Sequence, residues 1–239
     1  MNYSRMILFF TLSAASLTGC RHTPPAVGHP DAHTLELVVF DAIDDTDRET
    51  MVQAGRELGP VLQELPGYVS RTLAITDDGR WADIVNWSNL PDAEEAAHRV
   101  EHDPTLTPRT MPFFSLINMD PEQGFDFSHS KLIARHVADD PAPPDVVELV
   151  MFRRSSKVSA EAFTDQAIAA MPALAKLPGF LSTQLSVDPD GRYVHVVAWA
   201  SHEQALAAPA VAMRVPELAN WFGSIDEASI EMHHLKVIE

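Results

Sequence analysis

Residues 65–87 read LPGYVSRTLAITDDGRWADIVNW, and residues 177–199 read LPGFLSTQLSVDPDGRYVHVVAW. Both stretches begin with Leu-Pro-Gly, carry Asp-Gly-Arg in the middle and end in Trp, at an offset of 177 − 65 = 112 residues. The Glu-Leu-Val of residues 36–38 returns at the same offset as residues 148–150. A repeat this long exceeds the units of about 20 to 50 residues that build solenoids, and each copy is large enough for its own core. The chain therefore contains a duplicated domain.

The second copy has the pattern of a β-α-β-β-α-β unit. Ser159 suits a helix N-cap, apolar residues at helical spacing follow it, and Pro178-Gly179 ends that helix. Ser201 and Gln204 form a capping box that predicts a second helix. The apolar runs and the Asp-Gly turn predict four strands, at residues 147–152, 180–187, 193–199 and 229–237.

The first copy repeats this order. A capping box at Thr46–Glu49 predicts a helix that runs to Leu65, and residues 119–124 form an insertion before the last strand. The strands are predicted at residues 35–40, 68–75, 81–87 and 125–133. The predicted organisation is a signal peptide at 1–19, a tether at 20–33, domain 1 at 34–136, a linker at 137–145 and domain 2 at 146–239.

A β-α-β-β-α-β order is typical of the ferredoxin-like unit, whose antiparallel sheet carries both helices on one face. The other face needs a cover, and the second copy supplies it. We expect an α+β fold of two ferredoxin-like domains, packed as an intramolecular dimeric α/β barrel with a lumen between the sheets. Such an internal pseudo-dimer predicts a monomer or a weak oligomer.

The first twenty residues predict export. Arg5 supplies a positive charge and residues 6–17 a short apolar run, which is too short to span a membrane. The sequence Leu17-Thr18-Gly19-Cys20 resembles the lipobox of bacterial lipoproteins, which implies cleavage before Cys20 and its acylation. The resemblance implies a lipid-anchored protein of the bacterial envelope, and Arg21 in place of Asp favours the periplasmic side of the outer membrane. The alternative is an ordinary secretory signal.

The charge balance limits the possible partners. The 239 residues contain 34 acidic and 17 basic side chains, a net charge of −17. Such a chain repels phosphate backbones, so nucleic acid is excluded as a partner. The acidity either favours cationic ligands or serves only solubility.

The repeated motifs resemble the antibiotic-biosynthesis-monooxygenase (ABM) domains of the dimeric α/β-barrel superfamily. They are Pro66-Gly67-Tyr68 with Val85-Asn86-Trp87, and Pro178-Gly179-Phe180 with Val197-Ala198-Trp199. Some members oxidise aromatic polyketides without metal or flavin, so the resemblance implies no cofactor. In some members an Asn on the third strand orients the substrate; here Asp83 and His195 occupy that position, so the role does not transfer intact.

The candidate site residues share strand faces. Glu36, Asp83, Glu148 and His195 are the candidate catalytic groups, because burial on an apolar wall would prepare them as acids or bases. The aromatic side chains on the same faces are candidate substrate-binding walls: Trp81, Trp87, Tyr193 and Trp199. If these faces line the lumen, the site lies between the sheets. The alternative is that the polar groups lie at strand ends in water and that Trp87 and Trp199 are core residues.

A metal or haem site is not favoured. His98 and His102 stand four residues apart on a predicted helix, but no Glu suited to act as a general base lies between them. The haem-degrading branch of the superfamily uses a Trp beside such a His, and this chain lacks that Trp. We therefore assign no metal ligand.

Two functions remain open at this point. The first is an envelope-anchored protein that binds a small apolar or aromatic molecule and acts as a cofactor-independent monooxygenase. The alternative is a non-catalytic stress-response or scaffold module whose barrel is filled by side chains.

Overall fold

The computed structural model describes residues 31–238. The predicted signal at 1–19, Cys20 and most of the tether lie outside the described residues. The strands are β1 (Thr34–Ala42), β2 (Tyr68–Ile75), β3 (Trp81–Trp87), β4 (Ile117–Asn118), β5 (Asp126–Val137), β6 (Val146–Arg153), β7 (Phe180–Val187), β8 (Arg192–Trp199) and β9 (Glu231–Val237). The α-helices are α1 (Arg48–Leu62), α2 (Leu90–His102), α3 (Thr107–Phe114), α4 (Ala160–Leu174), α5 (His202–Ala212) and α6 (Pro216–Phe222). Within this part of the chain, none of the helices has both the length and the apolar character needed to cross a bilayer.

The repeated Pro-Gly marks a turn that only glycine fits. Gly67 has φ +74° and Gly179 has φ +78°, in the left-handed region that L side chains rarely adopt. A Cβ on Gly67 would also lie 2.1 Å from Oδ2 of Asp92, and one on Gly179 would lie 2.1 Å from Oε1 of Gln204. The turn therefore brings the end of one helical segment against the first turn of the next helix, in both copies.

The predicted elements need three corrections. Helix α1 ends at Leu62 instead of Leu65, and its N-cap is Asp47, whose side chain accepts from the Thr50 amide. Each copy has two helices after its third strand where one was expected, and a proline lies in the first turn of α3 and of α6. Strand β5 extends to Val137, four residues past the predicted end. The predicted N-caps Ser159 and Ser201 are confirmed.

The strands form one closed antiparallel barrel. Each half has the ferredoxin-like order, β5-β1-β3-β2 in the first and β9-β6-β8-β7 in the second. The halves join where β5 pairs with β7 and β9 pairs with β2, so eight strands close on themselves, and β4 is a short addition beside β1. The helices cover the outer face. The predicted dimeric α/β barrel within one chain is confirmed.

Strand residues alone fill the barrel lumen. Its buried apolar side chains come from both halves: Leu35, Leu37, Val39, Ala74, Ala82, Ile84, Val147, Leu149, Met151, Leu181, Val194, Val196, Ala198 and Leu235. Ser130 donates to Ser186 across the β5–β7 pairing at 2.7 Å, and Gln184 is fully buried. These side chains occupy the space between the sheets, where the site would lie if the candidate faces lined the lumen.

The polar candidates point to the opposite side. Glu36 and Asp83 alternate along their strands with the lumen residues and face a helix-covered core made of side chains of the first half. His195 packs on Trp221 of α6, and Glu148 bonds to His234 beside α5. All four therefore lie on the outer face of the barrel, under or beside the helices.

Candidate functional site

The first half contains a pocket between its helices and the outer face of β1 and β3. Its cavity volume is about 60 Å³. One water needs about 15 Å³ and an apolar cavity that binds benzene measures about 150 Å³, so the pocket holds a few waters as it stands and admits a ring when its lining side chains move. Its lining residues are Glu36, Val38, Leu58, Leu62, Asp83, Val85, Trp87, Ala96, Ala97, Val100, Phe113, Phe114, Ile117, Met119, Phe125 and Phe127.

A buried ion pair lies at one side of this pocket. Nε and Nη2 of Arg71 donate to the two carboxylate oxygens of Asp83 at 2.7 and 2.9 Å. Nη1 donates to the Gly55 carbonyl at 2.7 Å, and the ring of Phe113 lies 5.1 Å from the guanidinium carbon. The side chains of the pair are only 2% and 6% exposed. Both Asp83 oxygens accept from the planar guanidinium, so the pair is bidentate and holds the carboxylate in one orientation.

Helix α1 approaches the pair closely because it carries a glycine there. A Cβ on Gly55 would lie 2.4 Å from Cδ2 of Leu73 and 3.9 Å from Nη2 of Arg71. The absence of that Cβ lets the Gly55 carbonyl accept a guanidinium hydrogen. The second copy has Ala167 at this position, and no arginine below it.

A Glu–His pair also lies beside the pocket, and Glu36 is the member that belongs to the lining. Oε2 of Glu36 lies 2.8 Å from Nε2 of His129, its partner across the β1–β5 pairing. The two side chains are 15% and 7% exposed, so Glu36 is the more accessible of the two. Phe127, a lining residue, packs edge-on against the His129 ring at 5.0 Å. A carboxylate bonded to an imidazole beside an apolar cavity can take up and pass on a proton.

The sequence comparison missed His129. It stands 93 residues after Glu36, whereas its counterpart His234 stands 86 residues after Glu148. The first half has seven more residues than the second between the end of its third strand and this histidine, so the constant offset of 112 does not align the two histidines. The pairing of the last strand with the first strand in each copy would have revealed them.

The second half replaces the ion pair by a neutral one. Thr183 and His195 occupy the positions of Arg71 and Asp83, 112 residues later, and Oγ1 of Thr183 lies 2.7 Å from Nε2 of His195. Burial lowers the pKa of His195 to about 3, so its imidazole is neutral at physiological pH.

Aromatic side chains occupy the space above His195. The Trp221 ring lies 5.1 Å from the His195 ring, and Phe163 lies 6.3 Å from Trp221. Both Trp221 and Phe163 are fully buried. Phe163 takes the place of Met51 in the first copy, and Trp221 packs against both Phe163 and His195.

The Glu–His pair persists in the second half. Oε2 of Glu148 lies 3.1 Å from Nε2 of His234, and the His234 ring stacks on His202 of α5 at 5.6 Å. Both copies therefore contain the Glu–His pair, and the pocket lies beside the pair of the first copy.

The aromatic candidates are core residues with different surroundings. Trp87 lines the pocket, whereas Trp81 stacks on Phe40 at 6.5 Å outside its lining. Tyr193 stacks on Phe152 at 5.6 Å, and Trp199 packs edge-on against Phe180 at 6.2 Å. The structure thus brings Glu36, Asp83 and Trp87 into one cavity and places the other five candidates elsewhere.

Residues 31–238 contain no cluster of three or more His, Cys, Asp or Glu side chains arranged to hold a metal ion. The exposed His98 and His102 stack on each other at 4.5 Å, and Nδ1 of His102 lies 3.0 Å from the His98 carbonyl. These contacts occur within one turn of α2.

Two ferredoxin-like halves that close one eight-stranded barrel, with a pocket under the helices of one half, define a dimeric α/β barrel built from a single chain. Solved structures of ABM-like proteins share this architecture. An anthrone oxidase-like protein superposes with a TM-score of 0.62 at 15% identity, over 90% of this chain and 95% of the other. A candidate monooxygenase from Lactobacillus acidophilus gives a TM-score of 0.64 at 11% identity, over 87% and 95% of the two chains. One from Fusobacterium nucleatum gives 0.65 at 8% identity, over 88% and 94%.

These likenesses establish the fold, which is that of monooxygenase-like ABM proteins. No protein-family model matches the sequence, and no curated protein matches it either. The chemistry must therefore be argued from the pocket itself.

Proposed function

We propose that the first-half pocket binds a small aromatic molecule and that Glu36, with His129 behind it, removes a proton from that molecule. The observation that carries this proposal is the bonded Glu36–His129 pair on the wall of a cavity whose remaining lining is largely apolar and aromatic. Apolar pockets with a few convergent polar groups are the usual form of small-molecule sites. Glu36 is the base because it is accessible, and His129 positions it.

The reaction that fits is oxygenation of an electron-rich ring carbon without a cofactor. Glu36 takes the proton of an acidic CH2 or phenol group, and the resulting anion transfers electrons to O2. For a ring CH2 group, addition of O2 and loss of water leave a C=O group, so that one oxygen atom enters the product and the other becomes water. Arg71 occupies both carboxylate oxygens of Asp83, so Asp83 forms part of the pocket wall and Glu36 is the carboxylate that contacts the substrate. The ABM-like fold of the structural neighbours supports this class of reaction.

Oxygen uptake with a panel of small hydroquinones and phenols tests this proposal. Glu36→Gln is expected to lower kcat about 100-fold on any substrate that wild type oxidises, because general-base catalysis contributes about 10² to 10⁴ in rate. His129→Gln is expected to lower kcat less and to move the pH profile. His234→Gln, the matching change in the second half, is the control and should leave the rate unchanged. Equal rates in Glu36→Gln and wild type would remove Glu36 from the mechanism.

A non-catalytic binding module is the second candidate function. Two observations favour it: side chains fill the lumen, and Asp83 is fixed in a bidentate ion pair. This candidate predicts that small aromatic compounds bind the pocket while none of them supports oxygen uptake. The same panel, followed by binding as well as by oxygen consumption, distinguishes the two.

We also propose that the protein is held at the bacterial envelope by a lipid on Cys20, as the lipobox-like sequence implies. Wild-type protein expressed with its first twenty residues is expected to incorporate labelled fatty acid and to sediment with membranes. Cys20→Ala is expected to abolish the label and to release the protein into the soluble fraction. Unlabelled wild-type protein in the soluble fraction would contradict the anchor.

A further inference from the structure

The ionisable side chains of the pocket lining are all acidic. Glu36 and Asp83 are its two ionisable residues, and none of its sixteen lining residues is Lys, Arg or His. Arg71 lies behind Asp83 and neutralises it through the bidentate pair, and His129 lies behind Glu36 on β5. The carboxylate that remains accessible from the pocket is that of Glu36, at 15% exposure of its side chain.

Aromatic rings form a large part of the remaining wall. Five lining residues are aromatic: Trp87, Phe113, Phe114, Phe125 and Phe127. The face of an aromatic ring attracts a cation by about 0.5–2 kcal/mol, with the larger values at sites shielded from water. Phe113 already shows this contact on its Arg71 side. Aromatic walls with an accessible carboxylate suit a ligand that combines an apolar ring with a positive charge.

The charge of the whole chain acts in the same sense. A net charge of −17 attracts cations to the surface and repels anions, at low ionic strength above all. An anionic ligand would meet this field and then a pocket lining without any basic side chain.

The geometry points to an aromatic amine as the ligand class of this pocket: a single ring that carries a protonated ammonium group, with the ring against the phenylalanines and the ammonium against Glu36. This inference rests on the proposed function in one respect, that the pocket binds small aromatic molecules. It adds the charge of the ligand, which selects among such molecules. In an oxygenase the ammonium group would anchor the substrate beside the base, and in a binding module it would be the recognised feature.

Three ligands of one shape and different charge test the inference. Benzylamine (a cation at pH 7), benzyl alcohol and benzoate are titrated by calorimetry in low-salt buffer at pH 7. The cation is expected to bind about tenfold more tightly than the alcohol, and benzoate more weakly than both. Glu36→Gln is expected to lower the difference between the cation and the alcohol to about twofold, the part that the aromatic rings contribute, while the alcohol keeps its affinity.

Glu95→Gln is the matched control, because Glu95 is exposed on α2 and outside the pocket lining. It removes the same charge from the chain and should leave the preference for the cation intact. A preference that is undiminished in Glu36→Gln, or that falls equally in Glu95→Gln, overturns the inference. Equal binding of all three ligands also overturns it but leaves the proposed function standing, whereas binding of none of them removes both.

Discussion

Replacement of Arg71 by Thr is expected to lower the free energy of unfolding by about 3–5 kcal/mol, because it leaves the Asp83 carboxylate buried without its cation. For a domain of this size that loss corresponds to a fall of roughly 6–20 °C in the melting temperature. The double variant Arg71→Thr/Asp83→His installs the neutral pair that the second half already uses at Thr183 and His195. It is expected to recover more than half of the lost stability. Urea unfolding of wild type, both single variants and the double variant gives the coupling energy.

The control for this cycle is an exposed pair of an arginine and a carboxylate, Arg109 and Glu64. Arg109 donates to both carboxylate oxygens of Glu64 at 2.7 and 2.6 Å, but the two side chains are 45% and 57% exposed. Arg109→Thr is therefore expected to change stability little, since water solvates the remaining carboxylate. Additive losses in the Arg71 and Asp83 variants would show that burial of this pair does not couple them.

Trp221→Ala is expected to lower the free energy of unfolding by about 3–5 kcal/mol and to create a cavity in the second half. The indole is fully buried between His195, Phe163 and Phe222, so its removal leaves a cavity that the surrounding side chains fill only in part. Added indole or benzene is expected to raise the melting temperature of the variant and not that of wild type, because apolar cavities of this kind bind such ligands.

His195 reports the same opening independently. Burial alone lowers its pKa to about 3, so water in the new cavity is expected to move the pKa of His195 up toward its ordinary value near 6.5. In wild type, the unfolded state binds this proton below about pH 6.5, whereas the folded state binds it only near pH 3. The free energy of unfolding therefore decreases as the pH is lowered from about 6.5 to about 3. The variant is expected to lose less stability there, as measured by unfolding at several pH values.

Trp199→Ala separates this effect from loss of packing in general. Trp199 is also a fully buried tryptophan of the second half, but it packs on Phe180 and not on His195. Its removal is expected to destabilise the protein without moving the His195 titration. If both variants shift the pKa of His195 alike, loss of packing anywhere in the second half admits water to His195. Trp221 would then have no specific role in excluding that water.

The fold was accessible from the sequence because its signals are local and appear twice. The Pro-Gly turns, the Asp-Gly hairpins and the N-cap serines each fix the backbone over a few residues, and the predicted β2 and β3 agree with the structure. Closure of the barrel followed from the need to cover two open sheet faces. The break between α2 and α3 was missed, although Asp103 is extended and Pro104 follows it, a pattern that ends helices.

The side of the sheet on which the site lies was not accessible in the same way. Strand alternation groups Glu36 with Val38 and Leu35 with Leu37, but it does not tell which group faces the lumen. Both faces are buried and apolar in this barrel, so hydrophobicity gives no contrast between them. The polar pairs Arg71–Asp83 and Glu36–His129 depend on contacts across strands, which a linear comparison of the two copies does not contain.

Fusion of the two halves has an evolutionary consequence. When two identical subunits close a barrel, every substitution appears on both sides, so a change that fills one cavity fills the other. Here β5 and β9 carry the closure within one polypeptide, and a substitution at position 163 or 221 affects a single half. Selection can then maintain one half for its cavity and the other for the wall that completes the barrel. Thr183 and His195 stand at the positions equivalent to Arg71 and Asp83, and the two halves already differ there in charge.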